Sequence, residues 1–170
     1  MTRRLEDSAV EQKIIPNLWF DTEAEEAANF YISVFKNSRI LNVAHYTDVG
    51  PGEPGTVMTV EFDLDGHRFV GINGGPQFQF DEAVSFQISC ETQDEVDYYW
   101  ERLTEGGEES QCGWLKDRYG LSWQVVPTGM EEVFSDPDPE RAKRAMKAML
   151  EMRKLDIEAL RSAADGAAAA

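Results

Sequence analysis

The sequence predicts an α+β fold. Two consecutive βαβββ modules form a curled mixed sheet around a cavity, and a C-terminal helix follows. Two observations carry this reading. Thr22-Glu23-Ala24-Glu25 and Thr92-Gln93-Asp94-Glu95 are matched helix starts, 70 residues apart. The order of strand-like segments around the first start recurs around the second, although the halves share little identity. An internal echo of that length signals duplication. Two such units placed side by side put one strand face under the helices and leave the other to line a cavity.

Ile14 to Phe20 reads as a strand, with Ile14, Pro16, Leu18 and Phe20 on one face and Ile15, Asn17 and Trp19 on the other. Thr22 and Glu25 form a capping box, each side chain satisfying a backbone N–H that the first helical turn leaves free. Ala27, Phe30, Tyr31, Val34 and Phe35 make one apolar stripe on the helix it opens. Arg39 to Thr47 is a second strand, and Asp48 to Gly55, rich in Gly and Pro, is a mobile loop. Thr56 to Leu64 alternates cleanly. Asp65-Gly66 signals a tight hairpin, His67 to Asn73 returns, and Gly74-Gly75-Pro76 closes the module.

In the second half, Val84, Phe86, Ile88 and Cys90 share a face opposite Ala83, Ser85, Gln87 and Ser89. The Thr92–Glu95 box opens a helix with Val96, Tyr99, Trp100 and Leu103, ending at Gly106-Gly107, where glycine tolerates a left-handed exit. Gln111 to Leu115, a turn at Asp117–Gly120 with a local Asp117-Arg118 ion pair, and the strand Leu121 to Val126 follow. Asp138 as cap and Pro139 at the first helical position begin a Met-rich amphipathic helix. The expected organisation is a tail at 1–12, a core at 13–128 (modules 13–76 and 80–128), a helical segment at 136–163 and a frayed end at 164–170. The helix either packs on its own domain or crosses to a second subunit; its long apolar stripe favours a homodimer.

Composition narrows the function. The chain has 170 residues and a formal net charge of -16. Such a field repels phosphate backbones and anionic membranes, so neither nucleic acid nor membrane is an expected partner. No apolar run reaches the roughly 20 residues of a membrane helix, and no apolar stretch follows Arg3-Arg4. A cytoplasmic protein with free Cys90 and Cys112 is expected.

Several stretches together resemble the PhnB-like branch of the vicinal oxygen chelate superfamily, which is similar in its βαβββ duplication to glyoxalase I, fosfomycin-resistance proteins and extradiol dioxygenases. They are Pro16 to Asp21 with Ala24 to Ala27 and Phe30-Tyr31, then Asn73 to Pro76, Glu95 to Trp100, and the long run Cys112 to Pro127. The C-terminal stretch from Ala145 to Ile157 fits too. The resemblance spans roughly residues 13 to 163 and implies a glyoxalase-like fold, commonly dimeric. The branch often carries the label 3-demethylubiquinone-9 3-methyltransferase. The residues do not support that chemistry: neither Gly50-Pro51-Gly52 nor Gly71 to Gly75 is a Gly-rich turn leading into a helix.

The resemblance implies divalent-metal ligands at Ile15 or Asn17, at Ala83 or Ser85, and at Gln124. Aliphatic groups cannot ligate and a neutral amide hardly ligates alone, so no metal and no cofactor are expected. His67 reads as a solvated hairpin residue. His45 with Glu61 is a thin substitute set, and Cys112 needs a nearby cation to become a reactive thiolate. Cys90, Trp100 and Trp123 belong under the helices. The cavity face then offers Asn17, Trp19, Glu61, Ser85, Gln87, Trp114, Ser122 and Gln124. That mixture of neutral polar groups and indoles suits a neutral aromatic ligand; equally, the groups can pack and hydrogen-bond one another. Small-molecule binding or sequestration is the expected function. The alternatives are an enzyme of the superfamily, metal-dependent or using Gln124, Glu61 or His45, and a structural or regulatory dimer with a filled cavity. Catalytic residues stay unassigned.

Overall fold

The computed structural model describes residues 12–166. It divides at residues 79 and 80 into two compact units. The first holds β1 (Asn17–Phe20), α1 (Ala24–Val34), β2 (Arg39–His45), β3 (Val57–Leu64) and β4 (His67–Asn73). The second holds β5 (Ser85–Cys90), α2 (Gln93–Thr104), β6 (Glu108–Glu109), β7 (Trp114–Lys116) and β8 (Ser122–Pro127), then α3 (Met130–Phe134), α4 (Pro139–Glu151) and α5 (Ile157–Ala164).

The strand orders are β1-β4-β3-β2 and β5-β8-β7-β6. In each unit the first strand pairs in parallel with the last, and the remaining neighbours are antiparallel. This is the expected βαβββ duplication. One expectation changes: the strands make two separate four-stranded sheets, not one curled sheet. Each module closes its hydrogen-bond ladder on its own first strand.

Period-2 alternation sets the cores. In the first unit Leu18, Phe20, Val60, Phe62 and Phe69 bury against Ala24, Ala27, Tyr31 and Val34 of α1. Tyr31, Phe62 and Phe69 stack in series, with centroid spacings of 6.3 and 5.7 Å. In the second unit Ile88, Cys90, Leu115, Trp123 and Val125 bury together with Val96, Trp100 and Leu103 of α2. The Asp65-Gly66 hairpin forms as expected, with φ of 46° and 78° at its two central residues.

The helix starts differ from the expectation. Thr92 does cap α2, its hydroxyl accepting from Glu95 N at 3.2 Å, while Glu95 accepts from Glu91 N at 2.7 Å. The Thr22 box does not form. Instead α1 begins at Ala24, whose N–H donates to Asn73 Oδ1 at 2.8 Å. Asn73 Nδ2 in turn donates to Val57 O at 3.0 Å, so one buried side chain ties helix, β4 and β3 together.

The C-terminal segment is two helices with a break, preceded by α3. Across the break, Met152 O and Arg153 O accept from Cys112 N and Gly113 N at 2.8 and 2.7 Å. Leu155 is buried against Gly113, whose φ is +83° and where an added Cβ would lie 2.8 Å from Leu155 Cδ1. Gln93 clamps the segment, donating to Leu155 O and accepting from Ile157 N. Ala145 of α4 packs with Val133 and Ala164, whereas Met146 and Leu150 are exposed. Among the described residues no helix is long and apolar enough to cross a membrane.

Candidate functional site

The helix-free face of the second sheet gathers the candidates of that unit. Strand register places them in two rows. Gln87 of β5, Gln124 of β8 and Trp114 of β7 form one row. Ser85, Ser122, Lys116 and Glu108 form the next, across all four strands. Alternation explains the gathering: Phe86, Ile88, Trp123 and Val125 face α2, so their neighbours in sequence turn away. Gln124 Nε2 donates to Ser85 Oγ at 2.9 Å. Gln87 reaches Ser89 Oγ at 3.4 Å. At the rim, Lys116 and Glu82 form a close ion pair. The hydrogen bond between them raises the lysine pKa and lowers that of the carboxyl.

The first sheet places Asn17 and Glu61 in one row, both flanking Val70 of β4. Asn17 Nδ2 donates to Ile15 O at 3.0 Å. Trp19 lies in the next row beside Ile72, and its indole N–H donates to Gly75 O at 2.8 Å. Phe78 meets its ring edge-on at 5.0 Å, and a Cβ on Gly74 would collide with it. Trp19 therefore shapes the Asn73-Gly74-Gly75-Pro76 turn.

The positions implied for metal ligands do not fit a divalent cation. Asn17 and Gln124 are neutral amides whose NH2 groups donate to Ile15 O and Ser85 Oγ, and neither brings a charge to balance a cation. His45 pairs with Val57 and Asn42 with Glu61. His45 and Glu61 thus stand about four residues apart along β3, on the order of 13 Å. Among the described residues no group of three or more His, Cys, Asp or Glu is placed to hold a metal.

Cys112 turns toward the C-terminal segment, its Sγ 3.5 Å from Met149 O. The cations nearest in sequence are engaged elsewhere, Lys116 with Glu82 and Arg118 with Glu105 at 3.8 Å. Cys90 is buried as expected, and burial, aided by Glu95, pushes its thiol pKa up to about 12. Trp100 and Trp123 are buried, also as expected.

Two features escaped sequence reasoning. Asp117, read as half of a turn ion pair, is a buried anchor. Its carboxylate accepts from Tyr119 N, Leu121 N and Trp123 Nε1 at 2.9, 3.1 and 2.9 Å. The spacing Asp-x-Tyr-Gly-Leu-x-Trp was the available signal, since a short carboxylate often closes such a turn. The second is a cavity of about 720 Å³ at the end of the first sheet, lined by Tyr46, Gly74 and Gly75 with the carboxylates Asp21, Glu25, Glu26 and Glu53. Nothing in the sequence joins the 46–57 loop to the start of α1.

Comparison with known proteins adds a frame. A family model described as 3-demethylubiquinone-9 3-methyltransferase matches residues 12–126. The solved structure of a PhnB protein from Bacillus cereus, carrying the same methyltransferase label, is 37% identical. It covers 69% of this chain and 100% of its own, with a TM-score of 0.64. A Pseudomonas aeruginosa protein, 18% identical, covers 68% of this chain and 97% of its own at a TM-score of 0.57, and speaks for the fold alone. The fosfomycin resistance protein FosX of Mesorhizobium loti is 12% identical, covering 69% and 91%, at a TM-score of 0.49. No curated protein matches the sequence.

Proposed function

Because this chain belongs to the 3-demethylubiquinone-9 3-methyltransferase family, the PhnB-like branch of the glyoxalase fold, we propose that it binds or sequesters a small neutral aromatic molecule. One observation carries the reading. On the open face of the second sheet, the uncharged polar groups Ser85, Gln87, Ser122 and Gln124 stand beside the Trp114 indole, with the charged Lys116 and Glu108 confined to the β7–β6 edge and with Ser85 and Gln124 hydrogen-bonded where ligands to a cation would stand. Such groups orient a ligand without activating it: an amide or hydroxyl near neutrality neither takes nor gives a proton readily. An indole supplies stacking area.

The methyltransferase label receives no support from the βα turns. Asp21-Thr22-Glu23 precedes α1 and Glu91-Thr92 precedes α2, both acidic and without glycine. A nucleotide-type fold meets its cofactor through a Gly-rich turn at the start of a helix, and neither of these turns offers one. The reading places the protein in the cytoplasm as a homodimer, which exposed Met146 and Leu150 on α4 support.

A thermal-shift screen with neutral aromatic compounds tests the proposal. At a hundredfold excess over Kd, a specific ligand raises the melting temperature by about 5–10 °C. Gln124→Ala reduces that shift. A flat screen overturns the reading, as does stoichiometric zinc, nickel, manganese or iron in the purified protein.

A further inference from the structure

The Ser122 hydroxyl is fully buried, yet it has no hydrogen-bond partner among the described residues. Leaving such a group unmatched is costly, and native structures rarely tolerate it without a reason. Ser122 lines a small cavity of about 110 Å³ together with Trp114, Lys116, Glu82, Glu108 and Glu109. Register sets it between Ser85 on β5 and Lys116 on β7, with Glu108 beyond.

The other polar groups of this cavity are largely committed. Lys116 is paired with Glu82. Glu109 accepts from Trp100 Nε1 at 3.0 Å and lies 3.6 Å from Arg153. The remaining complement is two hydroxyls that can donate or accept, the buried Ser122 and the exposed Ser110, and a carboxylate, Glu108, that only accepts. Three carboxylates against one ammonium disfavour an anion, and because Glu82 and Glu109 are already matched by Lys116 and Arg153, Glu108 alone is left to meet a cation. A neutral O–H group matches: its oxygen accepts from Ser122 while its proton goes to Glu108. Trp114 offers the adjoining ring face.

We propose that Ser122, with Glu108 and Trp114, forms a subsite for the hydroxyl of a phenol-like ligand. This deepens the binding role proposed above and rests on it.

The test compares phenol, toluene and benzoate by ligand-observed NMR titration on the full chain and on Ser122→Ala. The wild type should prefer phenol to toluene by roughly tenfold or more, the worth of the two hydrogen bonds to Ser122 and Glu108. Ser122→Ala should cut that preference by more than half, because only the bond to Glu108 remains, and leave toluene affinity unchanged. A melting curve at or above the wild-type temperature confirms that the variant folds. A preference undiminished by Ser122→Ala overturns the subsite, as does equal wild-type affinity for phenol and toluene or tighter binding of benzoate. Either result leaves the broader binding role intact if other neutral aromatics stabilise the protein. If no aromatic binds the wild type, both readings fall.

Discussion

In the first unit the start of the helix is held by Asn73, 49 residues downstream on another strand. In the second it is held by Thr92, the residue immediately before the helix. The strand orders on either side are the same. So two copies of one architecture satisfy the same orphan N–H groups from opposite ends of the contact-distance scale. A cap next door forms with its helix. A cap on β4 exists only once β4 lies beside β1, which makes the start of α1 a consequence of sheet assembly.

Substitutions sharpen this contrast. Asn73→Ala should cost most, about 2–3 kcal/mol, because it strands Ala24 N and Val57 O together in the core. Thr92→Ala should cost about 1 kcal/mol, the ordinary loss of a local cap. Urea denaturation of both variants measures the gap, and equal losses would dissolve the distinction. The thiols offer a smaller effect. Since the Cys90 pKa is pushed up to about 12, a thiol reagent at pH 8 should modify Cys112 and spare Cys90 until the protein is denatured. Prompt labelling of both would contradict the packing of β5 under α2.

The smallest effect concerns acid. Lys154 holds the Asp97 carboxyl below its ordinary 3.8, and Arg141 does the same for Asp136. Depressed folded-state pKa values contribute stability above the ordinary value and lose it as pH falls below. Protection against hydrogen exchange, relative to the intrinsic rate, should therefore fall in α4 and the segment after it below about pH 4, and fall less in salt that has already screened the pairs, while the first sheet is unaffected. A uniform fall in protection would place the acid response elsewhere.

Local rules made much of this legible. Alternation in Ser85–Cys90 and Ser122–Pro127 settles which side chains share the open face, because side-chain direction there has a period of 2. The Thr92 box is readable because all its partners lie within a turn. The Thr22 box has the same letters and fails, since Asn73 supplies a competing acceptor that no local window contains. Asp117 is invisible for a related reason: a carboxylate in a turn reads as solvated unless the Trp123 indole beneath it is known. Whether eight strands share one ladder or split into two depends on edge pairing, which leaves no mark on hydrophobic periodicity.

The seat of Leu155 against Gly113 has a practical corollary. Shortening the chain upstream of that leucine would pull a stopper from the second unit and strip the acceptors of Cys112 N and Gly113 N. Chains trimmed to the duplicated strands alone would then expose apolar surface and aggregate, however complete their secondary structure.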